Sequence, residues 1–171
     1  GGVPADSVVT FNEVMYEPAQ GDPALEWIEL HNQMNNDVDL SNWSIAGGVA
    51  FHFAPGTLLP VGGYLVIAAN PQALQAQTGL AGIQGPWLGT LNRAGETLTL
   101  RNHNGRLMDQ LSYRVGAPWP PGASGSGASL AKLHRISPSP AASNWRASAE
   151  VGGTPGRSNF PSIEGEPPPV D

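Results

Sequence analysis

The chain has 171 residues, a net charge of −6, no cysteine and only 13% charged residues. Its apolar runs are all shorter than the roughly eighteen residues that a membrane-spanning helix needs, and the lack of cysteine excludes a disulfide framework and thiolate metal sites. Glycine and proline number 22 and 17. So many residues that interrupt regular secondary structure predict numerous short elements joined by turns, which is typical of an all-β protein.

Apolar alternation and β-branched residues predict the strands. They are expected, in chain order, at residues 8–16, 26–32, 37–46, 49–53, 63–69, 96–101 and 106–113, with a further extended piece near 128–136. One short helix is predicted, with Asn70 as the N-cap, Pro71 at its first position and Gly79 after its end. Asn104-Gly105 predicts a hairpin with a type I′ turn.

The composition changes after Pro118, and residues 128–157 regain apolar content. We interpret this part as a loop-rich C-terminal extension that packs on a β-sandwich, not as a second domain. The expected division is a tail or artificial remnant at 1–7, the sandwich with its extension at 8–159, and a proline-rich linker at 160–171. Such a linker leads us to expect that the domain belongs to a longer polypeptide.

The charges are distributed unevenly along the chain. Residues 1–92 contain eight acids and no lysine or arginine, and the first lysine or arginine of the chain is Arg93. An acidic half without a basic stripe argues against binding a phosphate backbone, so no nucleic-acid partner is expected. The same distribution is compatible with cation binding or with solubility alone.

The first two predicted strands bring two carboxylates together. If they pair as a hairpin centred near Gly21, Glu13 lies opposite Glu29, and the two charges repel each other. A metal, an arginine from beyond residue 92, or water could compensate, and arginine or water is favoured. Alternatively, either glutamate accepts backbone N–H bonds at a sandwich edge or pairs with an arginine such as Arg101 or Arg114.

Calcium is the cofactor alternative that these acids leave open. Ca²⁺ takes six to eight oxygen ligands, and Glu13 and Glu29, joined by Asp22 from the turn, are the candidate metal ligands. No EF-hand pattern prearranges such a site. The prediction is therefore a domain without a cofactor, with calcium as the alternative.

Two tryptophans are candidate ligand-binding residues. Trp87 and Trp119 lie in predicted loops beside prolines, and exposed loop tryptophans stack on sugars or fill a partner's pocket. The alternative, which we favour, is that each ring caps an open end of the sandwich.

Catalysis has little support in the sequence. The chain shows no register of G-x-S-x-G, no H-E-x-x-H and no phosphate-binding loop. Glu26 and Glu29 are three residues apart in an extended strand, so they point to opposite faces and cannot form a glycosidase pair by themselves. We therefore predict that the chain is not an enzyme, and a hydrolase domain is the last of three hypotheses.

Several segments carry a family resemblance. They are Phe11-Asn12-Glu13-Val14, residues 26–32, residues 38–45, residues 53–67 and residues 95–100. In order and spacing they resemble the lamin tail domain over about residues 8–114, and residues 144–148 and 152–156 resemble its bacterial branch. The resemblance implies an immunoglobulin-like β-sandwich with a non-catalytic role in exported, often multidomain, bacterial proteins. Glu26 and Glu29 stand where the nuclear lamins are basic, so nucleic-acid binding is not implied.

The expected function is thus an interaction, adhesion or accessory module of a larger exported bacterial protein, outside the cell or on its surface. A calcium-stabilised structural spacer is the alternative. The expected partners are other domains of the parent chain and a protein or polysaccharide ligand, and we expect a monomer without membrane insertion.

Overall fold

A computed structural model of the chain describes residues 8–120 and 126–163. The predictions for the tail at 1–7 and for most of the linker at 160–171 fall outside these residues. The strands are β1 (Val9–Met15), β2 (Trp27–Asn32), β3 (Val38–Asp39), β4 (Ser44–Ala46), β5 (Val49–His52), β6 (Leu58–Leu59), β7 (Tyr64–Ala68), β8 (Leu88–Gly89), β9 (Gly95–Arg101), β10 (Leu107–Arg114), β11 (Ala128–Lys132) and β12 (Trp145–Val151). The α-helix, α1, is Pro71–Thr78.

The strands form two five-stranded antiparallel sheets and a small two-stranded one. The first sheet has the order β12-β11-β1-β2-β7, the second β10-β9-β4-β5-β8, and β3 pairs with β6. Inward side chains of both large sheets meet in one core, and among its fully buried members are Phe11, Leu30, Ile45, Leu98 and Leu111. The predicted all-β, immunoglobulin-like sandwich is confirmed.

The outer face of the first sheet carries a second, smaller apolar cluster. Its members are Met15, Trp27, Val66, Ala68 and Leu74, the last of which comes from α1. The helix begins as predicted, because the Asn70 side chain accepts the Ala73 N–H at 3.1 Å, and it ends at Gly79 with φ +73°. Helix α1 thereby covers one end of this outer face.

Two local predictions are wrong. The single strand expected at 37–46 is divided into β3 and β4, because Asn42 adopts a φ of +63° and turns the chain. The hairpin after β9 is present, but a type I′ turn needs two consecutive residues with positive φ, and only Gly105 has one. The Asn102 side chain instead organises a longer loop by accepting the N–H groups of Asn104 and Arg106.

The C-terminal extension is part of the sandwich itself. Strand β11 pairs with β1, and β12 pairs with β11, so the extension lengthens the first sheet by two strands. Trp145 of β12 lies in the main core. Alternation of apolar and polar residues from Trp145 to Val151 is the signal that identifies β12, which the predicted elements did not include. No helix in the described part of the chain is long and apolar enough to cross a membrane.

Candidate functional site

The two glutamates of the first strand pair lie opposite each other, as predicted. Glu13 is the register partner of Glu29, and a bulge in β1 lies between Phe11 and Glu13. Both glutamate side chains are 0% exposed. They occupy the outer face of the first sheet, beside Trp27 of the outer apolar cluster. Two buried carboxylates this close need either protons or donors.

Donors to Glu13 come from the C-terminal extension. The Ser129 hydroxyl and the Thr154 N–H, the latter at 2.7 Å, both donate to Glu13 Oε2. Thr154 belongs to residues 153–159, which cross over the outer face and which we call the strap. Sequence reasoning did not find these partners, because they lie more than 110 residues away along the chain.

Glu29 is held in the same way. The Gly156 N–H of the strap donates to Glu29 Oε2 at 2.5 Å, and Asn12 Nδ2 donates to Glu29 Oε1 at 3.0 Å. A strap with its backbone donors aimed at a buried pair acts as a cover for it. The donors match the backbone N–H alternative of the prediction, but the place does not, because the two glutamates lie on the inner strands β1 and β2 and not at a sandwich edge.

The Thr154 hydroxyl indicates where one proton of the pair resides. Its oxygen lies 2.9 Å from Glu13 Oε1 and 2.8 Å from Asn159 Oδ1, yet a hydroxyl has one proton to donate. The Asn159 amide is oriented by its Nδ2, which donates to the carbonyls of Asn12 and Lys132. Both contacts are satisfied when Glu13 Oε1 is protonated and donates to Thr154, which in turn donates to Asn159.

The electrostatics agree with a protonated pair. Burial raises the pKa of Glu13 to about 7, and burial followed by the charge of Glu13 raises the pKa of Glu29 well above its usual range. Arg157 lowers both pKa values, but this effect is smaller than burial. The named arginines were the wrong choice, since Arg101 and Arg114 donate to backbone carbonyls of the β9–β10 hairpin.

Asp22, the third predicted metal ligand, is used locally. It precedes a 3₁₀ turn at Pro23–Leu25, and its Oδ1 accepts the Ala24 N–H at 3.0 Å. In residues 8–120 and 126–163, no group of three or more histidine, aspartate or glutamate side chains is arranged to hold a metal. A cation between Glu13 and Glu29 would displace donors already in place, and the calcium hypothesis stays a prediction.

The two candidate tryptophans lie inside the molecule. Trp87 is 6% and Trp119 is 8% exposed, and both rings pack in the main core. Their position agrees with the packing alternative and leaves little ring surface for a ligand. A binding role for them stays a prediction that requires these loops to open.

Glu26 lies apart from Glu29, as predicted. It lines a cleft of about 660 Å³ together with Glu96 and Arg93. Its Oε1 accepts the Leu91 N–H at 2.8 Å, and burial raises its pKa to about 6. Glu96 accepts the Asn92 N–H at 2.6 Å. Both carboxylates therefore brace backbone turns at this end of the sandwich.

A buried lysine in the core went unnoticed in the sequence. Lys132 of β11 is 0% exposed, and its Nζ donates to Ser139 Oγ at 3.0 Å. The Ser139 hydroxyl donates to Asp109 of β10 at 2.5 Å, and Asp109 also accepts the Phe11 N–H at 2.8 Å. Burial lowers the pKa of Lys132 to about 8, and Asp109 opposes this shift. The network links the two sheets through their interior, and a lone charge within an apolar strand was its only sequence signal.

A further cleft, which we call the end cleft, lies where the strap leaves the outer face. It has a volume of about 390 Å³. Its polar walls include His31, Gln33, Tyr64, Arg135 and Ser158. Its apolar rim consists of Met34, Val61 and Ile136.

The fit of the strap over Glu13 can be tested at two adjacent glycines. Gly153 has φ +76°, and a Cβ there would lie 2.5 Å from Glu13 Oε2 and 2.9 Å from Trp27 Cζ2. Gly152 has φ +89° with nothing within 4 Å of an added Cβ. We expect Gly153→Ala to lower the free energy of unfolding by about 3 kcal/mol and Gly152→Ala by about 1 kcal/mol in urea denaturation. Equal losses would show that the strap does not press on the pair.

Comparison with known proteins adds a family match. A sequence model of the lamin tail domain matches residues 3–114, more than half of the chain. The match ends before β11, so β11, β12 and the strap that covers the glutamate pair lie outside it. A search of curated proteins finds no match.

Proposed function

Because the chain belongs to the lamin tail domain family, we propose that it is a non-catalytic binding module of a larger exported bacterial protein. The family consists of immunoglobulin-like domains with interaction or structural roles and without catalysis. The same fold hosts many functions, so the surfaces of this chain have to support the finer statement.

One observation carries the proposal: the buried carboxylates of Glu13, Glu29 and Asp109, whose pKa values burial raises, serve the interior. Perturbed pKa values often mark catalytic sites when the groups face a cleft. Here Glu13, Glu29 and Asp109 are at most 4% exposed, and each accepts hydrogen bonds from its own chain. They stabilise the fold and are closed to a substrate, which leaves the outer surface for binding.

Two sheet edges are suited to binding an extended partner. Strands β10 and β12 have eight and seven residues, and within residues 8–120 and 126–163 each pairs with a single neighbouring strand. An unpaired edge offers backbone donors and acceptors to an added strand. The far edge of the first sheet is different, because Gln84 bridges to β7 there. Edge β12 is therefore our first choice for a protein ligand.

The remaining parts of the proposal follow from the composition. The net charge of −6 and the acidic first half disfavour a nucleic-acid partner. We propose neighbouring domains of the parent chain and a protein or polysaccharide as partners, a location outside the cell or on its surface, and a monomeric state.

Arrays of extracellular proteins and polysaccharides test this function with the labelled chain. We expect saturable binding to at least one ligand and no turnover of glycosidase, esterase or peptidase substrates. Ala149→Lys places a charge on the exposed part of β12, and Gln72→Lys places the same charge on exposed α1. The first should weaken binding of a protein ligand about tenfold, and the second should leave it unchanged. Turnover, or the absence of saturable binding, would contradict the proposal.

Calcium dependence separates this role from that of a metal-stabilised spacer. Because hydrogen-bond donors of the strap and of neighbouring side chains already occupy the glutamate pair, we expect melting temperatures in EDTA and in millimolar Ca²⁺ to agree within about 1 °C. At a Ca²⁺ concentration one hundred times its Kd, a calcium site would instead raise the free energy of unfolding by about 2.7 kcal/mol. A rise of several degrees that Glu13→Gln abolishes would establish the spacer hypothesis.

A further inference from the structure

Unpartnered polar atoms concentrate at the end cleft. In the described residues, six buried side-chain nitrogen or oxygen atoms have no hydrogen-bond partner, and three of them belong to His31 and Ser158, which line this cleft. His31 is 3% exposed, and neither ring nitrogen has a partner in hydrogen-bonding geometry, although the ring lies beside the Gly62 backbone. Buried polar groups are nearly always satisfied, so these atoms indicate a missing partner.

The charges of the residues that line the cleft indicate the charge of that missing partner. None of the described residues that line it is acidic, although the chain carries 14 acids. Burial, Arg135 and Lys132 lower the pKa of His31 to about 4, so the ring is neutral at neutral pH and offers one N–H donor. The Ser158 hydroxyl can donate as well, and Arg135 supplies positive charge. These groups suit an anion.

The rim supplies the second half of the recognition. Met34, Val61 and Ile136 are 40%, 52% and 72% exposed beside the polar walls. Arginine recognises carboxylates with directional hydrogen bonds, and an apolar rim favours a ligand that continues into an apolar group. A free inorganic anion would use the walls and leave the rim in water.

We propose that the end cleft binds a carboxylate that carries an apolar substituent. The walls hold the carboxylate through Arg135, His31 and Ser158, and the rim covers the substituent. The proposal rests on the function as a binding module and names the chemistry of one ligand. A cleft of about 390 Å³ admits a group the size of a single amino acid, either a free molecule or the C-terminal residue of a peptide.

The test uses N-acetyl-leucine as the probe and its amide as the matched control. Binding is followed by the imidazole NMR signals of the full chain, where His52, His103 and His134 are exposed internal references. We expect the His31 signal to shift in a saturable manner with N-acetyl-leucine and to stay unchanged with the amide. A hexapeptide that ends in leucine, with a free or an amidated C-terminus, distinguishes the two sources of the carboxylate.

Two variants assign the effect to the cleft. Arg135→Gln should weaken binding at least about fivefold and Ser158→Ala about threefold. Arg101→Gln removes an exposed arginine of the distant β9–β10 hairpin and should have no effect. Melting curves show whether each variant is folded. If Arg135→Gln does not fold, Ser158→Ala still tests the cleft.

The outcomes are distinct from those of the array experiment. Carboxylate-dependent binding of either the small probe or the peptide supports the proposal. Equal binding of acid and amide, binding of phosphate alone, or no shift at millimolar probe overturns it. If the end cleft does not bind the probe, array binding that depends on β12 would still support the function as a binding module. Only the role of the end cleft would then be rejected.

Discussion

Replacing Asp109 by alanine is expected to lower the free energy of unfolding by about 3–5 kcal/mol, the range measured when a buried charge loses its partner. Asp109 is 4% exposed and accepts the Phe11 N–H and the Ser139 hydroxyl. Its removal leaves these donors unsatisfied and leaves Lys132 without the one charge that raises its pKa. Lys132 must then either keep an uncompensated charge in the core or give up its proton.

A second variant separates this electrostatic cause from the loss of packing. Adding Lys132→Met to Asp109→Ala removes the stranded charge and keeps an unbranched chain of similar length beside Trp145. We expect the double variant to be more stable than Asp109→Ala alone, because apolar replacement of interacting buried charges is often neutral or favourable. Urea denaturation with linear extrapolation measures the loss of stability in Asp109→Ala, in Lys132→Met and in the double variant. If the losses of stability in the two single variants simply add up to that of the double variant, Asp109 and Lys132 are not coupled, and the electrostatic explanation is wrong.

Stability is also expected to depend on pH through the glutamate pair. The pKa of Glu13 is about 7 in the folded chain, against 4.5 without the fold. A raised pKa means that the folded state retains a proton that the unfolded state has lost. The stabilisation from Glu13 is therefore complete below about pH 4.5 and disappears as the pH rises through about 7. It amounts to about 3 kcal/mol over this window.

Other groups titrate in the same window, so the measurement is a difference between proteins. His31 has a lowered pKa of about 4 and acts with the opposite sign, and Glu26 has a pKa of about 6. Between pH 5 and pH 8, the free energy of unfolding should fall less in the double variant Glu13→Gln/Glu29→Gln than in the parent chain. We expect the difference between the two falls to be about 3 kcal/mol. Glu150→Gln, an exposed control, should follow the parent. Parallel curves for all three proteins would exclude a protonated pair.

These expectations depend on contacts that the strand pattern alone could not reveal. The sandwich, helix α1 and the pairing of Glu13 with Glu29 were predictable, because period-two alternation, capping residues and turn chemistry act over a few residues. The broken strand at Asn42 was not, because it depends on a left-handed backbone conformation at that residue. The loop at Asn102 was not, because side-chain hydrogen bonds to the backbone decided it.

The candidate site divides in the same way. The sequence by itself determined that two carboxylates would face each other on one sheet of a β-sandwich, in a half of the chain without lysine or arginine. Only the tertiary structure decided what compensates them, because Ser129, Thr154 and Gly156 approach from across the chain once β11 and β12 extend the first sheet. It also decided that Trp87 and Trp119 are buried and that His31 and Ser158 meet at an open cleft. Local patterns specify which face a residue occupies, whereas burial and long-range donors specify what that residue does there.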